Sequence, residues 1–238
     1  MKFARYKHDS SVSYTLGATL TYELIKNAPE RITRIFLRPN IKHGNDLDAI
    51  IEEARRLKLT IIESDKPFNV LGSKDNCLLM AEFAKIDQSL DNTQNHIVLV
   101  NPSDAGNLGT IMRTAAGMNY QNLAIVGQAV DFYDPKVIRS SMGAMFHLNI
   151  KTYPSIEEYL EENSNRELYA FMLDTKSRSI EDITPKTTYS LIFGNEAAGL
   201  PDNFADFCQP VIIPQSNQID SLNLSVAASI AMYEFSKK

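Results

Sequence analysis

The chain has 238 residues, 44% hydrophobic and 22% charged, with a net charge of -5. Its 11 Phe and 10 Tyr, with a steady supply of Ile, Leu and Val, exclude a disordered chain and suffice for one large domain or two small ones. No apolar run approaches the ~18 residues of a membrane span, so no membrane partner is expected.

The N-terminus, Met1 to His8, is basic and runs into Asp9, Ser10 and Ser11 rather than an apolar stretch. A secretory signal is therefore not expected, and a cytoplasmic protein is. Residues 13–27 carry Leu16, Leu20 and Leu24 at helical spacing and read as a helix. The strand Ile32 to Leu37 follows, stopped by Pro39, then a helix marked by Leu47, Ile50, Ile51, Ala54 and Leu57. Strands are expected at Leu59 to Ile62 and Cys77 to Phe83, giving a small α/β sandwich. Asp87 to Asn95 is polar and aperiodic and reads as a linker. Charge changes sign there: residues 1–90 hold 14 Lys+Arg against 12 Asp+Glu, net +2, and residues 91–238 hold 10 against 17, net -7. Such asymmetry suggests that the first half meets a polyanion.

From His96 the pattern becomes short apolar strands alternating with helices, which implies a parallel sheet. Strand His96 to Val100, a helix over 107–118 and strand Leu123 to Val126 open it. Ser155 and Glu158 form a capping box, strands follow near 168–173, 189–193 and 211–213, and a last helix ends around Phe235. Cys77 and Cys208 lie far apart in apolar stretches and read as reduced thiols. His8, His43, His96 and His147 show no ligand spacing, so no metal is expected.

Three segments gather glycine and polar residues at strand ends, where open parallel sheets bind ligands. The first, Asn101 to Ala116, runs from a Gly/Asn-rich turn into a helix with Arg113 among apolar neighbours, an arrangement open to a structural ion pair or a substrate-facing role. The second is Leu191 to Pro201, with Gly194, Asn195, Glu196 and Gly199. It is neither a dinucleotide fingerprint nor a P-loop, and either a plain turn with a capping Glu196 or a ligand loop fits it. In the third, Val211 to Ala228, a Pro-marked strand exit leads into the last helix, which Ser221 or Asn223 could cap.

Together, in this order and spacing, the three segments resemble the motifs of the SpoU-type ribose methyltransferases of the SPOUT superclass. The resemblance covers about residues 96–236, with Val137 to Phe146 similar to the family's segment between its first two motifs. The first 90 residues look like the family's RNA-binding domain, akin to a ribosomal-protein fold. The resemblance implies an RNA-binding domain over 1–90 and an α/β methyltransferase domain over 91–238, its parallel sheet tied in a trefoil knot. It further implies a homodimer with active sites near the subunit boundary, and S-adenosylmethionine bound in a bent form. Carried onto this chain, Phe193, Gly194, Asn195, Gly199, Ile213, Pro214, Leu222 and Asn223 would hold the cofactor. Asn107, Arg113, Glu196, Ser221 and Asn223 would form the catalytic surroundings. The chain departs from the pattern at Asn119 and Asn217, where glycine is usual, at Gln215, and at Asp75-Asn76-Cys77, where a His-Gln-Gly turn is common. Asparagine tolerates the positive φ of such turns.

The implied reaction moves a methyl from the sulfonium of S-adenosylmethionine to a ribose 2′-oxygen of ribosomal or transfer RNA. Arg113 would bind the adjacent phosphate and stabilise developing charge, since a guanidinium rarely gives up its proton. Two rivals are a non-catalytic RNA-binding or ribosome-associated protein on the same scaffold and a small-molecule methyltransferase. For RNA contact the sequence points to Lys7, Arg34, Arg38 and Arg139. Residues 1–42 hold Lys2, Arg5, Lys7, Lys26, Arg31, Arg34, Arg38 and Lys42 against Asp9, Glu23 and Glu30. Arg34 is expected to project outward from its strand, and the fragment 91–238 is expected to fold alone as a dimer.

Overall fold

The computed structural model describes residues 5–39, 44–71 and 76–238; Lys2, Lys42, His43 and Asp75 lie outside these. In chain order the elements are β1 (Val12–Leu16), α1 (Ala18–Asn27), β2 (Ile32–Leu37), α2 (Asn45–Arg56), β3 (Ile61–Glu63), α3 (Lys66–Val70) and β4 (Leu79–Ala84). Then come β5 (His96–Val100), α4 (Ala105–Gly117), β6 (Asn122–Val126), α5 (Pro135–Ser140), β7 (Asn149–Tyr153), α6 (Ile156–Glu162) and β8 (Glu167–Phe171). The last are β9 (Arg178–Ser179), β10 (Tyr189–Phe193), β11 (Gln209–Ile212) and α7 (Leu224–Phe235). They fall into two compact units, Met1–Ile86 with Asp131–Phe146, and Asp87–Val130 with His147–Lys238.

The first unit is a four-stranded sheet in the order β1-β4-β2-β3. The pairs β1/β4 and β4/β2 are antiparallel and β2/β3 parallel. The expected helix over 13–27 begins only at Ala18, because Ser13, Tyr14 and Thr15 are buried in β1 and Gly17, at φ 121°, breaks the chain before the helix. The boundary expected at 90/91 falls after Ile86, and Asp131–Phe146, expected in the second domain, packs with the first. There α5 lies against β1. Ser13 Oγ donates to the Tyr133 carbonyl at 2.5 Å, Tyr6 hydrogen-bonds Asp131, and Phe83 meets Phe146 edge-on at 5.3 Å. Arg31 donates to the Ala84 carbonyl and to the Tyr133 hydroxyl, 3.1 Å each, between the Phe83 and Tyr133 rings. A fragment beginning at residue 91 would carry the buried Phe132, Tyr133, Val137 and Ile138 without the sheet they cover.

The second unit is a seven-stranded sheet in the order β7-β6-β5-β10-β8-β11-β9, every neighbouring pair parallel. The strands β5, β6 and β10 are buried at every residue, as their continuous apolar runs require of a sheet covered on both faces. Helices α4 and α7 pack together, with Thr114 and Ser229 hydroxyls 3.1 Å apart. Another face buries Val98, Val126, Tyr159 and Cys208, whose thiol burial pushes up to about 12.

At the amino ends of β5 and β10, the fully buried His96 spans two partners: Nε2 lies 3.0 Å from the Asp91 carbonyl and Nδ1 3.0 Å from the Tyr159 hydroxyl. The carbonyl can only accept, so Nε2 carries the proton and Nδ1 accepts from Tyr159. Tyr159 in turn sits 2.6 Å from Ser190 Oγ, which receives Arg166 at 3.3 Å. Burial, aided by the Arg166 charge, lowers the His96 pKa from 6.5 to about 4. The folded state therefore binds fewer protons than the unfolded one, and stability falls as pH drops from about 6.5 toward 4, at up to ~1.4 kcal/mol per pH unit. Denaturant unfolding at pH 7, 5.5 and 4 is expected to show this loss in the wild type and a shallower one in His96→Gln.

Candidate active site

The carboxyl ends of β8, β10 and β11 open on a cavity of about 430 Å³, within the ~300–1,000 Å³ of small-molecule sites. Its charged lining is entirely acidic: Asp174, Glu196, Asp202 and Asp220. Three loops form its surroundings, and each is shaped by local chemistry.

Beyond β5, Asn101 adopts φ 53° and the chain turns into α4, where Asp104 caps the helix by accepting from Asn107 N at 2.7 Å. Beyond β10, Asn195 and Gly199 pair backbone to backbone at 3.1 and 2.9 Å, while Asn195 Oδ1 accepts from Ala197 N and Ala198 N. This hairpin needs glycine twice. Gly199 has φ +68°, and a Cβ on Gly194 would lie 2.1 Å from the Gly199 carbonyl carbon and 2.3 Å from Leu200 N. Before α7, Asn223 is the helix cap, its Oδ1 accepting from Ser225 N at 2.9 Å and Val226 N at 3.4 Å.

Hydrogen bonds tie the three loops together. Glu196 accepts from Ser103 N at 3.1 Å, Ser103 Oγ at 2.8 Å, Asp104 N at 3.1 Å and Asn107 Nδ2 at 3.2 Å. Asn107 Oδ1 then accepts from Asn223 Nδ2 at 3.1 Å. Asn195 Nδ2 donates to the Asn101 carbonyl at 2.8 Å. Partial burial raises the Glu196 pKa, but the Ser103 and Asn107 donors outweigh it and hold the carboxyl below the usual carboxylate range.

Of the positions the sequence singled out, Phe193, Gly194, Asn195, Glu196, Gly199, Ile213, Ser221 and Leu222 line the cavity. Asn107 and Asn223 join it through Glu196. Pro214 is exposed and outside the lining. Arg113 is exposed on α4, outside the lining, and makes no hydrogen bond or ion pair among the described residues, so the structural ion pair is absent. Ser103, Asp104 and Asp174 are not singled out by the sequence pattern. A serine in a Pro-Ser-Asp turn looks like an ordinary cap, and only the long-range approach of Glu196 gives it a role.

In the first unit Arg139 on α5 and Lys7 are exposed, and their side chains have no hydrogen-bond or ion-pair partner among the described residues. Arg34 does not project into solvent. Glu82 stands directly opposite it in register, and the guanidinium grips that buried carboxylate at 2.8 and 2.7 Å, only 18% exposed. Arg38 donates to the Cys77 carbonyl at 2.9 Å and pairs with Asp65 at 3.2 Å. Among the described residues no cluster of side chains could hold a metal, and no helix is long and apolar enough to cross a membrane.

A parallel sheet whose carboxyl-end loops interlock around an open cavity places the site where open α/β sheets bind their ligands. The SpoU rRNA Methylase family profile matches residues 94–233, and the chain belongs to that family. It is 32% identical over 140-odd residues to the 23S rRNA (uridine(2479)-2'-O)-methyltransferase of Streptomyces viridochromogenes, covering 56% of this chain and 49% of that protein. It is 24% identical to the 23S rRNA (guanosine(2553)-2'-O)-methyltransferase RlmP of Bacillus subtilis, covering 91% of this chain and 85% of that one. In fold it matches the AdoMet-bound rRNA methyltransferase from Sinorhizobium meliloti with a TM-score of 0.81, at 21% identity over 95% of this chain and 87% of that one. The chain spans about half the length of the first curated relatives it matches, 51% and 49%.

Proposed function

We propose that this chain is an S-adenosylmethionine-dependent methyltransferase acting on a ribose 2′-hydroxyl of structured ribosomal or transfer RNA. The observation that carries this is the Ser103–Glu196–Asn107–Asn223 network beside the acidic cavity. It joins the three family segments in one place, and a cavity whose charged lining residues are all carboxylates suits a cationic sulfonium and ammonium ligand. The cofactor's sulfonium supplies an activated methyl group. The protein's part is to hold it in line with the 2′-oxygen and to stabilise charge developing there. The six cofactor positions on the cavity wall would hold it, largely through backbone exposed by the Gly194 hairpin. Arg113, which has no partner among the described residues, would meet the RNA phosphate.

A homodimer and a trefoil knot belong to the same reading. Val226, Ile230 and Tyr233, at 46%, 38% and 54% exposure, form an apolar stripe along α7, a face suited to a second copy. The neighbouring α4 carries Arg113. The test is transfer of labelled methyl from S-adenosylmethionine to RNA by the purified chain. Transfer that requires RNA supports the enzyme, and cofactor binding without any transfer would favour the non-catalytic RNA-binding alternative.

The first unit would receive the RNA, with phosphates met by Lys136 and Arg139, both exposed on α5, rather than by Arg34 and Arg38, whose guanidinia are engaged internally. Lys136→Glu with Arg139→Glu is expected to weaken RNA binding and to flatten its log–log salt dependence by about 1.4 to 1.8, at ~0.7 to 0.9 per phosphate contact. Cofactor affinity should stay unchanged. Titrations at several salt concentrations check this; an unchanged slope would place the phosphates elsewhere.

A further inference from the structure

Glu196 has no spare capacity. A carboxylate offers about four acceptor sites. Its Oε2 takes Ser103 N and Ser103 Oγ, with Asn195 Nδ2 at 3.4 Å, and its Oε1 takes Asp104 N and Asn107 Nδ2. A carboxylate so occupied is an anchor rather than a proton acceptor for the ribose hydroxyl. What it anchors is the orientation of two amides. With Nδ2 given to Glu196, Asn107 must present Oδ1 to Asn223 Nδ2, and Asn223 must present Oδ1 to the Ser225 backbone. Among the described residues the hydroxyl of Ser103 is the one side-chain hydroxyl that donates to Glu196; at the far end of the network Ser225 Oγ donates to Asn223 Oδ1 at 2.7 Å. The Ser103 hydroxyl also stands 3.4 Å from Asn195 Nδ2, so it touches both of the first two loops.

We infer that Ser103 is a positioning residue for methyl transfer: its hydroxyl pins the Glu196 carboxylate, and through it fixes which faces Asn107 and Asn223 turn toward the reacting groups. This deepens, and rests on, the proposed methyltransferase reading. The other charged residues of the cavity lining are Asp174, Asp202 and Asp220, and Asp104, whose backbone N–H donates to Glu196, caps α4. All are carboxylates, so the hydrogen-bond donors rather than a counter-charge keep Glu196 ionised.

Ser103→Ala and Ser103→Thr in the full chain test this. In Ser103→Ala, kcat should fall about tenfold, the order of one charge-assisted hydrogen bond, while the RNA KM and the cofactor Kd hold. The Glu196 carboxyl, followed by carbon NMR titration, should protonate at higher pH than in the wild type. Ser103→Thr, which keeps the hydroxyl, should restore both. An unshifted Glu196 titration in Ser103→Ala overturns the inference. So does a wild-type kcat, or a loss shared equally by cofactor affinity that threonine does not rescue. Should the wild type itself transfer no methyl to RNA, the proposed activity fails, and the carboxyl titration still decides the tie between Ser103 and Glu196.

Discussion

Arg113→Ala is expected to lower methyl transfer by about 10²–10³, the scale of removing one donor that stabilises developing negative charge, while leaving S-adenosylmethionine affinity within a few-fold. The guanidinium is exposed on α4, makes no internal hydrogen bond or ion pair among the described residues and does not line the cavity. Its removal therefore takes nothing from the fold or from the cavity wall. Calorimetry with the cofactor and a transfer assay with RNA separate the two effects. If cofactor binding disappears in a still-folded variant, Arg113 holds the cofactor and not the phosphate.

Gly194→Ala should do the opposite, weakening cofactor binding first. A methyl there meets Gly199 and Leu200 backbone at 2.1–2.3 Å, and no flexible side chain can give way. The hairpin has to open, which moves Glu196 off its donors and withdraws the backbone on the cavity wall. Overpacking of about 1–3 kcal/mol corresponds to about 5- to 150-fold in affinity. The sheet beneath is untouched, so secondary structure should persist. Near-wild-type affinity in this variant would mean that the cofactor is held elsewhere.

The three loops were legible because each announces itself locally: an apolar strand ends in Gly, Asn or Pro, and a helix pattern begins. Their convergence depended on resemblance, since nothing local says that Glu196 will cross to Ser103, 93 positions away. Long-range pairing also defeated the reading of Arg34. Alternation with Ile35 correctly put it on the opposite face of β2, but that face holds Glu82 rather than water. At the first helix, Leu16, Leu20 and Leu24 keep helical spacing across a strand-to-helix junction, and the Gly17 break at φ 121° outweighs the periodicity. The alternation from His96 onward rightly indicated a parallel sheet. The insertion of β10 between β5 and β8, and the packing of Asp131–Phe146 with the first unit, are tertiary outcomes without a local signature.

The most direct test of ribose methylation lies in the RNA itself. A 2′-O-methyl group removes the nucleophile of alkaline cleavage, so the bond that follows it survives partial hydrolysis. Mapping such protected bonds in total RNA from cells with and without this gene should show one position, or a few within one structured RNA, losing protection when the gene is absent and regaining it with the wild-type chain but not with Arg113→Ala. An unchanged map, with methyl from S-adenosylmethionine recovered instead on a base or on a small molecule, would contradict it.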